Sequence, residues 1–300
     1  SALMLTFKKI SISDKDWICQ LLKKSNFMGA EYSFANNMAW HRLSNSLITR
    51  YNDFYTVLMS ENDTFMYTFP AGSGDYVDVI SQLREYSKIH DKKCSIFGVT
   101  KEYLSFFEDN FKGEYSVKYL SDSSDYIYLA DDLINLKGKK YHSKRNHLKK
   151  MDSFNWSFDV LSEKDFNDCI LLSADMYNKN NAYTDHSAIV EQYAINTFFE
   201  YYNQFNLVGG TIRIDGKLVA FTIGERLNSN TMVVHIEKAD KSYDGLYALI
   251  NNQFVKKFCN SNDIKYVNRE EDLGIDGLRK AKRSYNPIFQ VEKYLIEFNS

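Results

Sequence analysis

The same order of elements is written twice along this 300-residue chain: a helix, three strands joined by tight turns, a helix, a strand, a helix and a strand. That order restricts each half to one mixed sheet. Tight turns join strands antiparallel, whereas a helix inserted between two strands allows the second to return parallel to the first. In the first half a short strand is expected near 5–9, then a helix over 14–24 with Trp17, Leu21 and Lys24 at helical spacing. Strands at 48–50, 54–59 and 64–69 are separated by Asn52-Asp53 and Glu61-Asn62-Asp63, residues that favour tight turns. Val77, Ile80, Leu83 and Ser87 mark a helix ending near His90, followed by a strand at 94–97, a helix at 101–110 and strands at 115–119 and 125–129.

The second half begins with helices over 163–178 and 187–202, then strands at 208–214, 217–226 and 231–238. Asp215-Gly216 between the first two strands is a strong hairpin signal. A helix over 245–259, a short strand at 264–267, a helix at 275–284 and a closing strand at 288–298 complete it. The reading is two domains, 1–136 and 153–300, linked by a helix at 137–152. This order is similar to that of GNAT-type acyltransferases. The expected fold class is therefore α/β (α+β): tandem GNAT-type domains, each a mixed, largely antiparallel sheet flanked by helices. Fold order is an analogy, so function must be argued from residues.

Composition excludes several classes. Hydrophobic residues make up 44% of the chain and charged residues 25%, enough apolar mass for two cores and too little charge excess for disorder. The net charge of −2 gives no global attraction to nucleic acid or anionic lipid. Four scattered cysteines, Cys19, Cys94, Cys169 and Cys259, suggest neither a zinc site nor a disulfide framework. No window approaches about 18 apolar residues, so no integral membrane segment is expected and a cytoplasmic location is. HExxH, Walker and Rossmann patterns are absent from the sequence, and no metal is implied. His235, within an apolar strand, and His186, at a helix start, read as structural.

Local charge is more informative. Between Lys137 and Lys150 stand seven Lys or Arg residues and no acid. On a helix, Tyr141, Leu148 and Met151 form a narrow apolar stripe and the cations cover the remainder. Like charges one turn apart, such as Lys140 with Lys144 or Arg145 with Lys149, oppose a helix unless something anionic offsets them, which points to a phosphate-bearing partner. A solvated linker is the alternative.

The second concentration is Asn268-Arg269-Glu270-Glu271-Asp272-Leu273-Gly274, after a short strand and before a helix, where α/β sheets bind ligands. If the strand runs on, Asn268, Glu270 and Asp272 point to one side, and Glu270 or Asp272 can orient or deprotonate a nucleophile. The next helix is expected to place Ile275, Leu278, Ala281 and Tyr285 on an apolar face and to project Arg279, Lys280, Lys282 and Arg283. Arg279 and Arg283, one turn apart, suit a bound phosphate or carboxylate. Local pairing of Asp276 with Lys280 is the alternative.

The run from Tyr141 to Lys150, and the longer one from Asn268 through Gly274, Gly277, Arg279, Lys282 and Tyr285 to Pro287, resemble the two signature stretches of the phosphatidylglycerol lysyltransferase C-terminal-domain family. The resemblance extends from about Asn26 to Phe298. It implies a tandem GNAT-type fold and transfer of an aminoacyl group from tRNA to the headgroup of phosphatidylglycerol, with a more distant likeness to peptidoglycan-bridge aminoacyltransferases.

Together these readings give an aminoacyl- or acyltransferase that moves an activated acyl group to an amine or hydroxyl. Glu270 and Asp272 are its catalytic candidates. Lys144, Arg145, Arg279 and Lys282 are expected to hold a phosphate-bearing donor or acceptor, with Asn146 and Arg269 also at the substrate. Asn268 and Tyr285 are expected to supply hydrogen bonds, and Gly274 and Gly277 to shape the turn. Aminoacyl-tRNA is the expected donor. Acyl-CoA is disfavoured because Asp240 to Gly245 carries two acids and one glycine where a pyrophosphate would sit. Gly72-Ser73-Gly74 reads as an ordinary turn. Transient contact with anionic lipid is compatible with the basic helix. The alternative is a non-catalytic protein that binds RNA or an anionic metabolite on the same fold.

Overall fold

The structure, a computed structural model, describes residues 5–179 and 186–300. The side chain of His186 lies outside the described residues. Two compact units form, one from 1–125, 271–276 and 290–300, the other from 126–270 and 277–289.

The first unit contains α1 (Lys15–Ser25), α2 (Phe34–Ser44), β1 (Leu47–Tyr51), β2 (Phe54–Glu61), β3 (Thr64–Thr68), β4 (Ala71–Gly72), α3 (Tyr76–Ile89), β5 (Lys93–Thr100), α4 (Lys101–Phe111) and β6 (Tyr115–Tyr119). Asn52 and Asn62, at φ 51° and 53°, make the left-handed turns of the β1–β2–β3 meander, as their residue types lead one to expect. Asp75 caps α3 by accepting from the Asp78 amide at 3.1 Å. The buried stripe of α3 is Val79, Ile80, Leu83 and Ser87, so Val79 replaces Val77 of the sequence reading. Phe54, Tyr67, Phe69, Phe107 and Ile296 are among the core residues that this helix covers. The expected strand at 5–9 is reduced to a single bridge between Lys8 and Ile48.

The second unit contains β7 (Asp125–Leu129), α5 (Ala130–Asn135), α6 (His142–Met151), β8 (Trp156–Val160), α7 (Phe166–Lys179), α8 (His186–Glu200), β9 (Val208–Ile214), β10 (Lys217–Arg226), β11 (Thr231–Ala239), α9 (Leu246–Phe258), β12 (Tyr266–Asn268), α10 (Asp276–Arg283) and β13 (Phe289–Val291). Asp125 and Asp276, at the first positions of β7 and α10, and Gln290 and Val291 of β13 are counted with the first unit. Asp215 and Gly216, at φ 50° and 81°, close the β9–β10 hairpin as expected. Tyr141 and Met151 are buried, so α6 packs by the predicted stripe. By contrast Ile275, Leu278 and Ala281 are exposed, and of the expected apolar face only Tyr285 is buried.

The strand order in the two sheets departs from the order along the chain. The sheets run β1-β2-β3-β5-β14-β6 and β13-β7-β12-β11-β10-β9-β8, where β14 is Lys293–Phe298. The expected closing strand at 288–298 is thus divided: its start edges the second sheet, and its remainder pairs with β5 and β6 in the first. The strand at 125–129, read as the end of the first half, pairs instead with β12. The units therefore do not coincide with 1–136 and 153–300, and α6 belongs to the second unit. No helix among the described residues is long and apolar enough to cross a membrane.

Candidate active site

The second sheet opens where the first stays closed. In the first unit β3 pairs in parallel with β5 along its whole length, from Thr64↔Lys93 to Thr68↔Phe97. In the second, β11 and β12 pair only from Thr231↔Tyr266 to Val233↔Asn268, although β11 runs on to Ala239. Beyond Val233 side chains, not backbone bonds, join the two segments. The cause is partly a bulge. The register opposite β10 passes from Ile223↔Ile236 to Gly224↔Val234, leaving His235 as the extra residue. Glycine is required at 224, since a Cβ there would lie 2.5 Å from the Val233 carbonyl oxygen.

His235 is buried and bridges two carboxylates. Its Nε2 lies 2.6 Å from Glu225 and its Nδ1 2.9 Å from Glu270. Burial opposes the charged ring, yet the two hydrogen bonds outweigh it and raise the pKa to about 10, so an imidazolium is held between the acids at neutral pH. Phe198 of α8 stacks on the ring at 5.2 Å. One residue before Glu270, Arg269 Nη2 donates to Glu237 at 2.8 Å, and Asn251 donates to the same carboxylate at 3.3 Å. Burial works against the guanidinium, but Glu237 more than compensates and raises its pKa further. Arg269 Nη1 is buried with no hydrogen-bond partner.

An aromatic and cationic cluster adjoins Arg269. Its guanidinium lies 4.6 Å from the Tyr285 ring centre and 5.6 Å from that of Tyr128, and Lys144 Nζ lies 4.0 Å from Tyr285. Lys144 donates to the Ser284 hydroxyl at 2.8 Å, and burial, then the charge of Arg269, lowers its pKa. Lys282 donates to the Arg269 carbonyl at 2.5 Å, while its own carbonyl accepts from Tyr128 at 2.5 Å. Burial pushes the Tyr285 phenol up to about 12.

Of the residues singled out in the sequence, Lys144, Arg269, Glu270, Lys282 and Tyr285 are thus linked in one network. Asn268 is buried and shapes it: its side chain accepts from the Glu270 amide at 2.7 Å, holding Glu270 at φ 64°. The expected alternation of Asn268, Glu270 and Asp272 fails because the strand ends at Asn268 and the backbone turns left-handed at Glu270 and Leu273. Asp272, in the first unit, accepts from the Gly274 amide at 2.8 Å and braces a turn. Gly274, at φ 72°, is needed there, since a Cβ would meet Asp122 at 2.7 Å; nothing lies within 4 Å of a Cβ at Gly277. Arg279 is half-buried on α10.

Arg145 and Asn146 stand apart from the network. Arg145 donates to the carbonyls of Leu136 and Gly138, both at 2.7 Å, and so ties the end of α5 to α6. Asn146 is exposed and contacts His142 one turn earlier, at 3.2 Å. Arg145→Ala is therefore expected to lower stability by about 1–2 kcal/mol, read in a denaturation curve, and to leave phosphate affinity unchanged. Reduced affinity at unchanged stability would restore Arg145 to the substrate site.

His235, Glu225 and Glu237 carry much of the network, and sequence reasoning missed them as a group. The available signal was Glu237 two residues beyond His235 in an otherwise apolar strand, with Gly224 opposite marking a bulge. The start of α9 also departs from an anion-binding loop. A Cβ at Gly245 would lie 2.2 Å from the His147 carbonyl oxygen, so the α6 backbone abuts the position where a pyrophosphate would sit. Gly72 is similarly explained by packing, against the Asp53 carbonyl.

Both units have the GNAT-type element order, so the fold is a tandem GNAT-type one, each half a mixed sheet flanked by helices. Its structure is similar to that of a conserved protein of unknown function from Bacteroides thetaiotaomicron, with a TM-score of 0.94, 32% identity and coverage of 99% and 100% of the two chains. It is also similar to L-PGS from Bacillus licheniformis, with a TM-score of 0.67, 12% identity and coverage of 94% and 91%. An uncharacterized protein of Mycoplasmoides gallisepticum is 26% identical over 200 residues, which is 62% of this chain and 60% of that relative's length. The family model described as phosphatidylglycerol lysyltransferase, C-terminal, matches residues 23–297. The chain belongs to the phosphatidylglycerol lysyltransferase C-terminal family.

Proposed function

We propose that the second unit transfers an activated acyl group, an aminoacyl group above all, to an amine or hydroxyl. The observation that carries this reading is the opened β11–β12 ladder, beside which Glu225, buried His235 and Glu270, with Glu237 and Arg269, form a partly buried charged chain where backbone bonds stop. Charges fixed by their partners in this way are in place before substrate arrives.

The chemistry assigned to each group follows from its partners. Glu270 accepts the proton of the acceptor N–H or O–H as the nitrogen or oxygen attacks the acyl carbonyl. The bond from acyl carbon to donor oxygen breaks, and that oxygen takes up on leaving the proton that Glu270 accepted. His235 is a positioning residue: as an imidazolium it anchors the Glu270 carboxylate and is not itself a base. Arg269 offers an unused N–H at Nη1, and Lys144, paired with a hydroxyl, supplies a second cation for a phosphate-bearing donor. Aminoacyl-tRNA fits these requirements, while the packing of α6 against the start of α9 argues against acyl-CoA. The family name points to phosphatidylglycerol as acceptor.

The test is loss of aminoacyl ester from charged tRNA in the presence of phosphatidylglycerol or small amines. Glu270→Gln keeps a hydrogen-bonding oxygen for His235 but removes the base, and is expected to reduce turnover by about 10²-fold or more with binding retained. Full activity in this variant would remove Glu270 from the mechanism. Binding without turnover in the unaltered protein would favour the RNA- or metabolite-binding alternative.

A further inference from the structure

We propose that the edge of the second sheet at β13 docks onto the surface of an anionic lipid bilayer. This inference concerns where the protein sits and is independent of the transfer reaction. Ile288, just before β13, and Phe289, its first residue, are 51% and 40% exposed at the outer edge of the sheet. An edge strand that faces water is ordinarily blunted by charge in the strand itself, because exposed apolar edges aggregate. Here the charge lies beside the apolar residues instead. The Asn286 side chain donates to the Lys140 carbonyl at 3.3 Å, which sets the exposed residues Lys139 and Lys140 next to this turn. On the other flank Phe289 packs edge-on against Tyr266 at 5.5 Å, and Lys265 Nζ lies 5.2 Å from the same ring. Exposed Lys280 and Arg283 on α10 lead into the same stretch. The acids of the adjoining segments are Asp131 and Asp132 of α5, Asp276 at the start of α10, Asp263, which pairs with Arg226 at 2.7 Å, and Glu292, which accepts from the Tyr294 hydroxyl at 3.2 Å.

An apolar centre with a lysine rim is the pattern that matches a bilayer interface: Ile288 and Phe289 enter the acyl boundary while the lysines remain level with the phosphates. An RNA would satisfy the cations but leave Ile288 in water. The patch also accounts for the exposed part of the basic run that the candidate site leaves unused, since Lys144 and Arg145 point to other partners.

Flotation of the full chain with vesicles tests the proposal. Binding is expected to vesicles in which roughly one lipid in three is phosphatidylserine, to be weak on phosphatidylcholine alone, and to fall as salt is raised. Ile288→Ser is expected to weaken partitioning about tenfold and Lys140→Glu with Lys265→Glu about thirtyfold. All three positions are exposed, and an unchanged thermal midpoint confirms that each variant folds. Equal binding to both vesicle types, no binding to either, or effects of the lysine changes confined to RNA affinity would each overturn the proposal. Phosphatidylserine separates docking from acceptor recognition: turnover of phosphatidylglycerol without affinity for phosphatidylserine vesicles would defeat docking and leave the transferase reading standing, and the reverse would do the opposite.

Discussion

Lys293→Met is expected to destabilise the first unit by about 3–5 kcal/mol. Lys293 is 2% exposed on β14, with Nζ at 2.6 Å from Glu31 and 3.0 Å from Asp125. Asp125 also accepts from the Ala30 amide at 2.8 Å, and Glu31 packs so close to Gly29 and Gly98 that a Cβ on either would crowd its carboxylate. Burial opposes the lysine charge, yet Asp125 and Glu31 outweigh it and raise its pKa well above the ordinary value. A raised lysine contributes its full stability below its unfolded value of about 10.5 and loses it only at higher pH, so the loss in the variant is expected throughout the neutral range.

Methionine fills the space but leaves two carboxylates with no cation. Burial first, then the neighbouring Asp125, raises the Glu31 pKa against the pull of Lys293. A raised carboxyl gains relative stability as pH falls through its folded value, so the deficit of Lys293→Met should shrink in acid. Glu31→Gln added to Lys293→Met should recover part of the loss at neutral pH. Denaturant unfolding at neutral and acidic pH measures both. A loss below about 1 kcal/mol would mean that water reaches the cluster and screens it.

Lys293 also shows what the sequence could and could not reveal. Turn chemistry was legible because it is local: Asn52, Asn62 and Asp215-Gly216 adopt the left-handed backbone that their residue types favour. Helix α2 was not, since Phe34, Ala35, Asn36, Met38 and Ala39 are buried almost without interruption and leave no periodic stripe. The existence of a strand near the C-terminus was legible, but not its sheet. Lys293 pairs with Thr100 and Tyr294 with Tyr119, choices that depend on long-range packing, and the alternation of side chains along a strand is the same in either sheet.

The site divides the same way. Asn268 to Tyr285 drew attention by density of charge, and Lys144, Arg269, Glu270, Lys282 and Tyr285 do meet. The expected alternation reached Asp272 only by extending a strand past Asn268, where an acid-rich sequence gives no warning of left-handed turns. His235 appeared isolated because its partners are ten and thirty-five residues away. Proximity in a chain finds clusters within one turn; a bulge that aims a histidine between two strands is a property of the sheet.

His235→Leu is expected to be the most damaging change in the second unit, at about 3–5 kcal/mol, because it removes the cation shared by two partly buried carboxylates. Its pH dependence distinguishes charge from packing. The folded pKa, about 10, lies above the unfolded value of about 6.5. The stability contributed by the charged ring is therefore complete below pH about 6.5 and is lost as pH rises through about 10. The difference in unfolding free energy between the unaltered protein and the variant should be constant in mild acid and narrow steadily across that window. Comparing the two proteins cancels the alkaline contribution of buried thiols such as Cys94 and Cys259, both pushed up to about 12 by burial. If the difference is instead independent of pH, the histidine is neutral and the loss reflects only its stacking on Phe198. Glu270 would then lack the fixed counter-charge that sets it in place, and the transferase mechanism would need another group to position its base.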